Sequence, residues 1–134
     1  MTNKKLGNDF ERQFCEMLAA EGWWVHNMAQ NAAGQPADVI AAKNGKAVLV
    51  DCKVCSHKGF ALSRVEDNQH LAMERWEKCG NGDAWFAIKT MDGDIMMVSH
   101  FDIQVIGRSK SVMNRDDLNQ FSCTYEMWVK RACW

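Results

Sequence analysis

The dipeptide Asn44-Gly45, set between two apolar runs, constrains the fold of this chain more than any other local feature. Asparagine followed by glycine accepts the positive φ angles of a two-residue hairpin turn, so the flanking runs are predicted to pair as antiparallel strands. The first strand is Ala37 to Ala42 and the returning strand is Lys46 to Val54. Side chains alternate along a strand. Val48, Val50, Cys52 and Val54 therefore share one face, and Leu49, Asp51 and Lys53 share the other. Two charged groups thus project from one side of an otherwise apolar strand.

The rest of the chain supplies helices and further strands around this hairpin. Asn8 or Asp9 is a candidate cap for a helix running to about Glu21, with Phe10, Phe14, Met17 and Leu18 at helical spacing and Gly22 as its stop. Trp23 to Val25 reads as a short strand, and Asn31 to Pro36 as a loop. Phe60 to Val65 is a short strand or loop. Glu66 to Lys78 is predicted to be helical, with Leu71, Met73 and Trp76 on its buried side. Gly80-Asn81-Gly82 ends it. Ala84 to Lys89, an Asp92-Gly93 turn and Ile95 to Val98 form a second strand pair. Beyond His100 the pattern weakens: Phe101 to Ile106 and Asp116 to Phe121 read as short helical pieces, and Tyr125 to Val129 as a last strand. This order predicts an α/β (α+β) protein, a mixed sheet flanked by helices. With 134 residues, the expectation is one domain, a core over about 7–100 and an irregular extension over 101–134.

Composition narrows the function classes. Apolar residues make up 47% and charged residues 25%, which suits a packed core rather than disorder. No apolar run reaches the ~18 residues of a membrane span. The start, Met1 to Lys5, leads into no apolar signal segment, so a cytoplasmic protein with free thiols is expected despite six cysteines. Cys52 and Cys55 make a C-x-x-C with His57 close behind, but there is no second such pair to complete a zinc site, and buried thiols are the ordinary reading. His26, His57, His70 and His100 show no paired metal spacing. Adjacent Trp23 and Trp24 cannot both face inward from a strand. The net charge of −1 gives no global argument for a nucleic-acid partner, but an acidic metal site would reverse its local sign on binding cations. Lys4, Lys5, Gln35, Lys58 and Arg64 are candidate DNA contacts.

The chemistry centres on Asp51-Cys52-Lys53. Asp38, at the start of the preceding strand, lies within hairpin reach of Asp51. Glu11 on the first helix can approach from above the sheet, and Gln69 lies on the next helix. Phosphodiester cleavage needs these types. Carboxylates bind a hard divalent cation that neutralises the phosphate and activates water, and an adjacent lysine orients that water or holds the phosphate. Oxygen ligands without histidine favour Mg2+, with Mn2+ able to substitute.

Asp38, Asp51-Cys52-Lys53 and the upstream Glu11 resemble the PD-(D/E)xK nuclease superfamily. A wider pattern is similar to Holliday-junction resolvases of the RecU and archaeal Hjc kind: Gly7 to Glu11 opening a helix, Pro36-Ala37-Asp38, Leu49 to Lys53, Asn68-Gln69, and Ala84 to Ile88. Ala37 splits the family's proline-aspartate pair, the second acid is Asp51 where many relatives have Glu, and no basic arm is evident. The resemblance implies a restriction-endonuclease-like αβββαβ core, two-metal hydrolysis leaving a 5′ phosphate, and a homodimer that cuts four-way DNA junctions symmetrically. It implies Asp38 and Asp51 as metal ligands, Glu11 as the helix acid, Lys53 as the catalytic lysine and Gln69 as a supporting helix residue. A bacteriophage or mobile-element origin would suit a resolvase of this size. The alternatives are another repair or restriction nuclease of the superfamily, or a DNA-binding module that keeps the fold without activity.

Overall fold

The computed structural model describes residues 3–28 and 37–131. The predicted hairpin is present. Strand β2 (Val39–Lys43) pairs antiparallel with β3 (Lys46–Val54) in the register Val39↔Val50 to Lys43↔Lys46. Asn44 and Gly45 both take positive φ, 53° and 78°, which is the mirror-image turn whose twist matches that of the strands.

Around the hairpin the chain builds a six-stranded sheet. Helix α1 (Asn3–Ala20) leads into β1 (Trp24–Asn27), which pairs antiparallel with β2. After β3 come the two-residue strand β4 (Phe60–Ala61), a 3-10 turn (Leu62–Arg64) and helix α2 (Asp67–Lys78). This crossover returns the chain to β5 (Trp85–Lys89), parallel to β3. Strand β6 (Ile95–Ser99) follows, then α3 (His100–Ile106), β7 (Val112–Met113), α4 (Arg115–Phe121), β8 (Cys123–Thr124) and α5 (Tyr125–Arg131). The sheet order is β1-β2-β3-β5-β6-β8, and β4 pairs separately with β7.

Alternation in β3 sends its side chains to two cores. Val48, Val50 and Cys52 join Phe10, Phe14 and Leu18 of α1 and Tyr125, Trp128 and Val129 of α5. Leu49 joins Met73 of α2, Ile103 and Ile106 of α3, and Leu118 of α4. Asp51 and Lys53 have the parity of Leu49, so they face the α2 side of the sheet.

Four local expectations change. Helix α1 begins at Asn3, with Asn8 and Asp9 inside it. Asp9 instead makes intrahelical pairs with Lys5 (3.8 Å) and Arg12 (2.9 Å). Residues 125–129 are helical rather than a strand, because Tyr125, Trp128 and Val129 form a buried i, i+3, i+4 stripe. Trp128 stacks on Trp23 with ring centroids 6.3 Å apart, so the C-terminal part is regular structure that completes a core. On α2 the buried stripe is Gln69, Met73 and partly Trp76, while Leu71 is 49% exposed. His70 and His100, 30 residues apart in sequence, meet: His70 Nδ1 lies 2.9 Å from His100 Nε2. Trp23 is buried and Trp24 exposed, as neighbouring positions require.

Candidate active site

The open end of the β2–β3 hairpin carries the candidate site residues Asp38, Asp51 and Lys53. Continuing the register one step beyond Val39↔Val50 sets Asp38 beside Asp51 on the same side of the sheet. Both are buried, at 6% and 1% exposure. The backbone fixes Asp38: its Oδ2 accepts a 2.8 Å hydrogen bond from the Cys52 N–H, across the hairpin. Glu11 comes from α1, on the opposite face of the sheet, and hydrogen-bonds Asp38.

Asp51 is held by two side chains. Gln69 Nε2 donates to its Oδ1 at 3.1 Å. Lys53 Nζ lies 3.0 Å from its Oδ2, but the approach is poorly aligned, so that buried oxygen forms an ion pair without a well-directed hydrogen bond. Lys53 also reaches Gln69 Oε1 at 3.4 Å. Glu11, Asp38, Asp51, Lys53, Gln69 and Arg64 line one open cavity of about 600 Å³.

Crowding three carboxyl groups against one ammonium leaves an excess of negative charge in a desolvated place. Burial, reinforced by the Asp38 charge, pushes the Asp51 carboxyl up to about 8. The same two causes push Glu11 up to about 7. The protein thus holds protons where a cation would relieve the repulsion.

The sequence model of the family described as "Archaeal holliday junction resolvase (hjc)" matches residues 2–121. The chain belongs to this Hjc family. A curated relative, the crossover junction endodeoxyribonuclease Hjc of Methanocaldococcus jannaschii, is 26% identical over 111 residues, covering 83% of this chain and 78% of that protein. The fold is that of Archaeoglobus fulgidus Hjc, a Holliday junction resolvase from an archaeal hyperthermophile. That structure aligns with a TM-score of 0.70 at 14% identity, over 92% of this chain and 99% of that one. The PD-(D/E)xK resemblance drawn from Asp38, Asp51 and Lys53 therefore agrees with the family to which the chain belongs.

The expected DNA contacts of this Hjc-family chain are scattered. Arg64 borders the cavity, but its Nη1 donates to the Val54 carbonyl at 2.6 Å and its guanidinium lies 5.6 Å from the Phe60 ring centroid, so it also braces the end of β3. Lys4 and Lys5 are exposed on the first turn of α1, next to the cavity-lining Leu6 and Gly7. Lys58 lines a separate recess, and Gln35 falls outside the described residues. The backbone N–H of Cys52, which anchors Asp38, escaped the sequence reading, since no side-chain motif marks it. Glu66 also lines the cavity, and its N–H donates to Gln69 Oε1 at 3.2 Å. An acidic residue three positions before a glutamine at a helix start is the capping signal that could have pointed to it. No described helix is long and apolar enough to cross a membrane.

Proposed function

We propose that this chain is a structure-selective endodeoxyribonuclease that resolves four-way DNA junctions. The observation that carries the reading is that Glu11 of α1 and Asp38, Asp51 and Lys53 of the hairpin line one cavity, with Asp51 Oδ2 buried beside a misaligned ammonium. That donor set is hard, anionic and short of positive charge, which suits Mg2+, with Mn2+ as a substitute. Glu11, Asp38 and Asp51 would hold the ion. When bound, such an ion neutralises the phosphate and lowers the pKa of water.

The side chains divide the remaining work. Lys53 presents its ammonium at the cavity wall, where it can hold a scissile phosphate oxygen and orient the attacking water. Gln69 keeps Lys53 and Asp51 in register by donating to one and accepting from the other. In the hydrolysis, water adds to phosphorus and the bond to the 3′ oxygen breaks. The products are a 5′ phosphate and a 3′ hydroxyl.

A four-way junction is two-fold symmetric and needs two cuts, so a C2 homodimer is the simplest assembly. The test uses a four-way junction labelled in turn on each strand, with Mg2+ or a chelator, and maps the products. Paired nicks placed symmetrically across the branch point, dependent on the cation and lost in Lys53→Ala, are expected. Linear duplex cut as fast as the junction would point to a general nuclease. Binding without cutting would point to an inactive module.

A further inference from the structure

Cys55, Ser56 and Gly59 line both the cavity of the proposed active site and a smaller recess of about 230 Å³. The wall between the two is the tight turn after β3, and it is held from within. The Gly59 N–H donates to the Ser56 carbonyl at 3.0 Å, and the Lys58 N–H donates to Ser56 Oγ at 3.3 Å. Ser56 Oγ donates in turn to the Gly59 carbonyl at 3.3 Å. Gly59 has φ 106°, and a Cβ there would overlap the Met113 carbonyl oxygen, so the turn is pressed against β7. Its tip, His57-Lys58, is exposed. A DNA strand whose scissile phosphate rests against Lys53 occupies the cavity that this turn borders.

The charges around this wall single out Lys58. Arg115, in the recess, is committed to carboxylates: its Nη2 lies 2.6 Å from Asp94 and 3.9 Å from Asp92. Arg64, in the cavity, donates to the Val54 carbonyl and braces the end of β3. Lys58 lines the recess with its side chain exposed, and among the described residues no carboxylate pairs with its ammonium. The wall itself feels positive charge from both openings: burial pushes the Cys55 thiol up, and Arg64 and Arg115 oppose that. A lysine ammonium binds phosphate as a point charge. Presented on a turn that is already ordered, it does so without the cost of ordering a loop. One phosphate is placed at Lys53, so the group that reaches the adjoining turn is the next phosphate of the same strand.

We propose that Lys58, presented by the Ser56–Gly59 turn, holds the phosphate adjacent to the scissile one in the DNA strand being cut. The proposal rests on the resolvase reading above and adds a second anchor to it. A strand gripped at Lys53 alone can pivot about that phosphate. A strand gripped at Lys53 and at Lys58 is fixed at two points, which sets the bond that faces the attacking water. The contact is to the backbone, so it fixes register without reading sequence. Lys58 is then a substrate-binding residue, separate from the groups proposed to hold the cation and the scissile phosphate.

The test replaces single phosphates of a four-way junction by neutral methylphosphonates, one at a time, on both sides of the mapped cutting position. Single-turnover cutting is read in Mg2+ with the full-length protein in excess over DNA but below saturation. In the unaltered protein, neutralising one phosphate adjacent to the scissile one should slow cutting about tenfold, the size of one charge-assisted contact. Lys58→Gln should slow cutting of the unmodified junction by a similar factor. The same methylphosphonate should then cause no further loss in Lys58→Gln, while substitutions elsewhere keep their effects. Lys58→Arg, which restores the charge, should restore both the rate and the sensitivity. Lys58 is on the surface, so these variants leave the core intact. Lys58→Gln cutting the unmodified junction at the unaltered rate overturns the proposal. So does a methylphosphonate profile that is the same in Lys58→Gln as in the unaltered protein. Either result leaves the resolvase reading standing, whereas absence of cation-dependent cutting by the unaltered protein removes both.

Discussion

Gln69 Nε2 donates to Asp51 Oδ1 at 3.1 Å, which ties the first turn of α2 to the end of β3. The other end of the same amide accepts from the Glu66 N–H at 3.2 Å and meets Lys53 Nζ at 3.4 Å. With donors on its oxygen and a carboxylate on its nitrogen, the amide can face only one way. Partners of this kind orient metal-ligating and catalytic groups. Gln69→Ala should lower junction cutting about 10- to 100-fold. Gln69→Glu should be at least as damaging, since it sets a fourth carboxyl against Asp51. Single-turnover rates at saturating Mg2+ check this, with circular dichroism to confirm the fold. A Gln69→Ala rate equal to that of the unaltered protein removes Gln69 from the site.

The raised carboxyls make stability depend on pH in a defined direction. Asp51 sits near 8 and Glu11 near 7 in the folded protein, both mainly through burial, against roughly 4 for either group in the unfolded chain. Between these limits the folded state binds more protons than the unfolded state, so rising pH removes stability. That stability is fully present below about pH 4 and is lost as pH climbs through 7 to 8. Asp51→Asn removes the larger part of the effect. The variant should therefore gain stability relative to the unaltered protein between pH 5 and pH 8.5, both in chelator. Urea unfolding at several pH values measures the difference. A difference that stays flat would mean that Asp51 is ionised throughout.

A buried relay stabilises the far side of α2. His100 is fully buried. Its Nδ1 lies 2.7 Å from Glu77 Oε1 and its Nε2 lies 2.9 Å from His70 Nδ1. A carboxylate can only accept, so His100 Nδ1 donates to Glu77, and its Nε2 shares a hydrogen bond with His70 Nδ1. Desolvation, with the neighbouring His100 as the second cause, lowers the His70 pKa. His100→Ala leaves a cavity and breaks both bonds, at a cost of about 2–4 kcal/mol. Denaturant melts check this figure. Cutting by the folded fraction should be unchanged, because neither histidine lines the proposed active site.

Much of this architecture was legible because its signals are local. The Asn44-Gly45 turn and the alternation from Lys46 to Val54 specified both the hairpin and its register, and that register is what sets Asp38 beside Asp51. Gln69 was placed on the helix after the second carboxylate strand, and its supporting role came from the family resemblance. The errors arose where two periodicities compete or where contacts are remote. Tyr125, Trp128 and Val129 are strand-favouring residue types at helical spacing, and burial against Trp23 and Phe14 decides for the helix. Leu71 looked like core beside Met73 and Trp76, but the helix turns Met73 inward and Leu71 out to solvent. The pairing of His70 with His100 depends on the order of strands in the sheet, which no short window of sequence contains. Arg64 reads as a free charge until the Val54 carbonyl it braces is visible.

The central claim is that Glu11, Asp38 and Asp51 share one divalent cation beside Lys53. Mn2+ binding, followed by electron paramagnetic resonance at pH 8 with a four-way junction present, tests it most directly when the unaltered protein is compared with folded Asp38→Asn and Asp51→Asn. The expected result is a bound ion in the unaltered protein and an affinity lowered at least about tenfold in each variant, since each loses one anionic ligand. Equal Mn2+ binding by all three proteins would contradict the account.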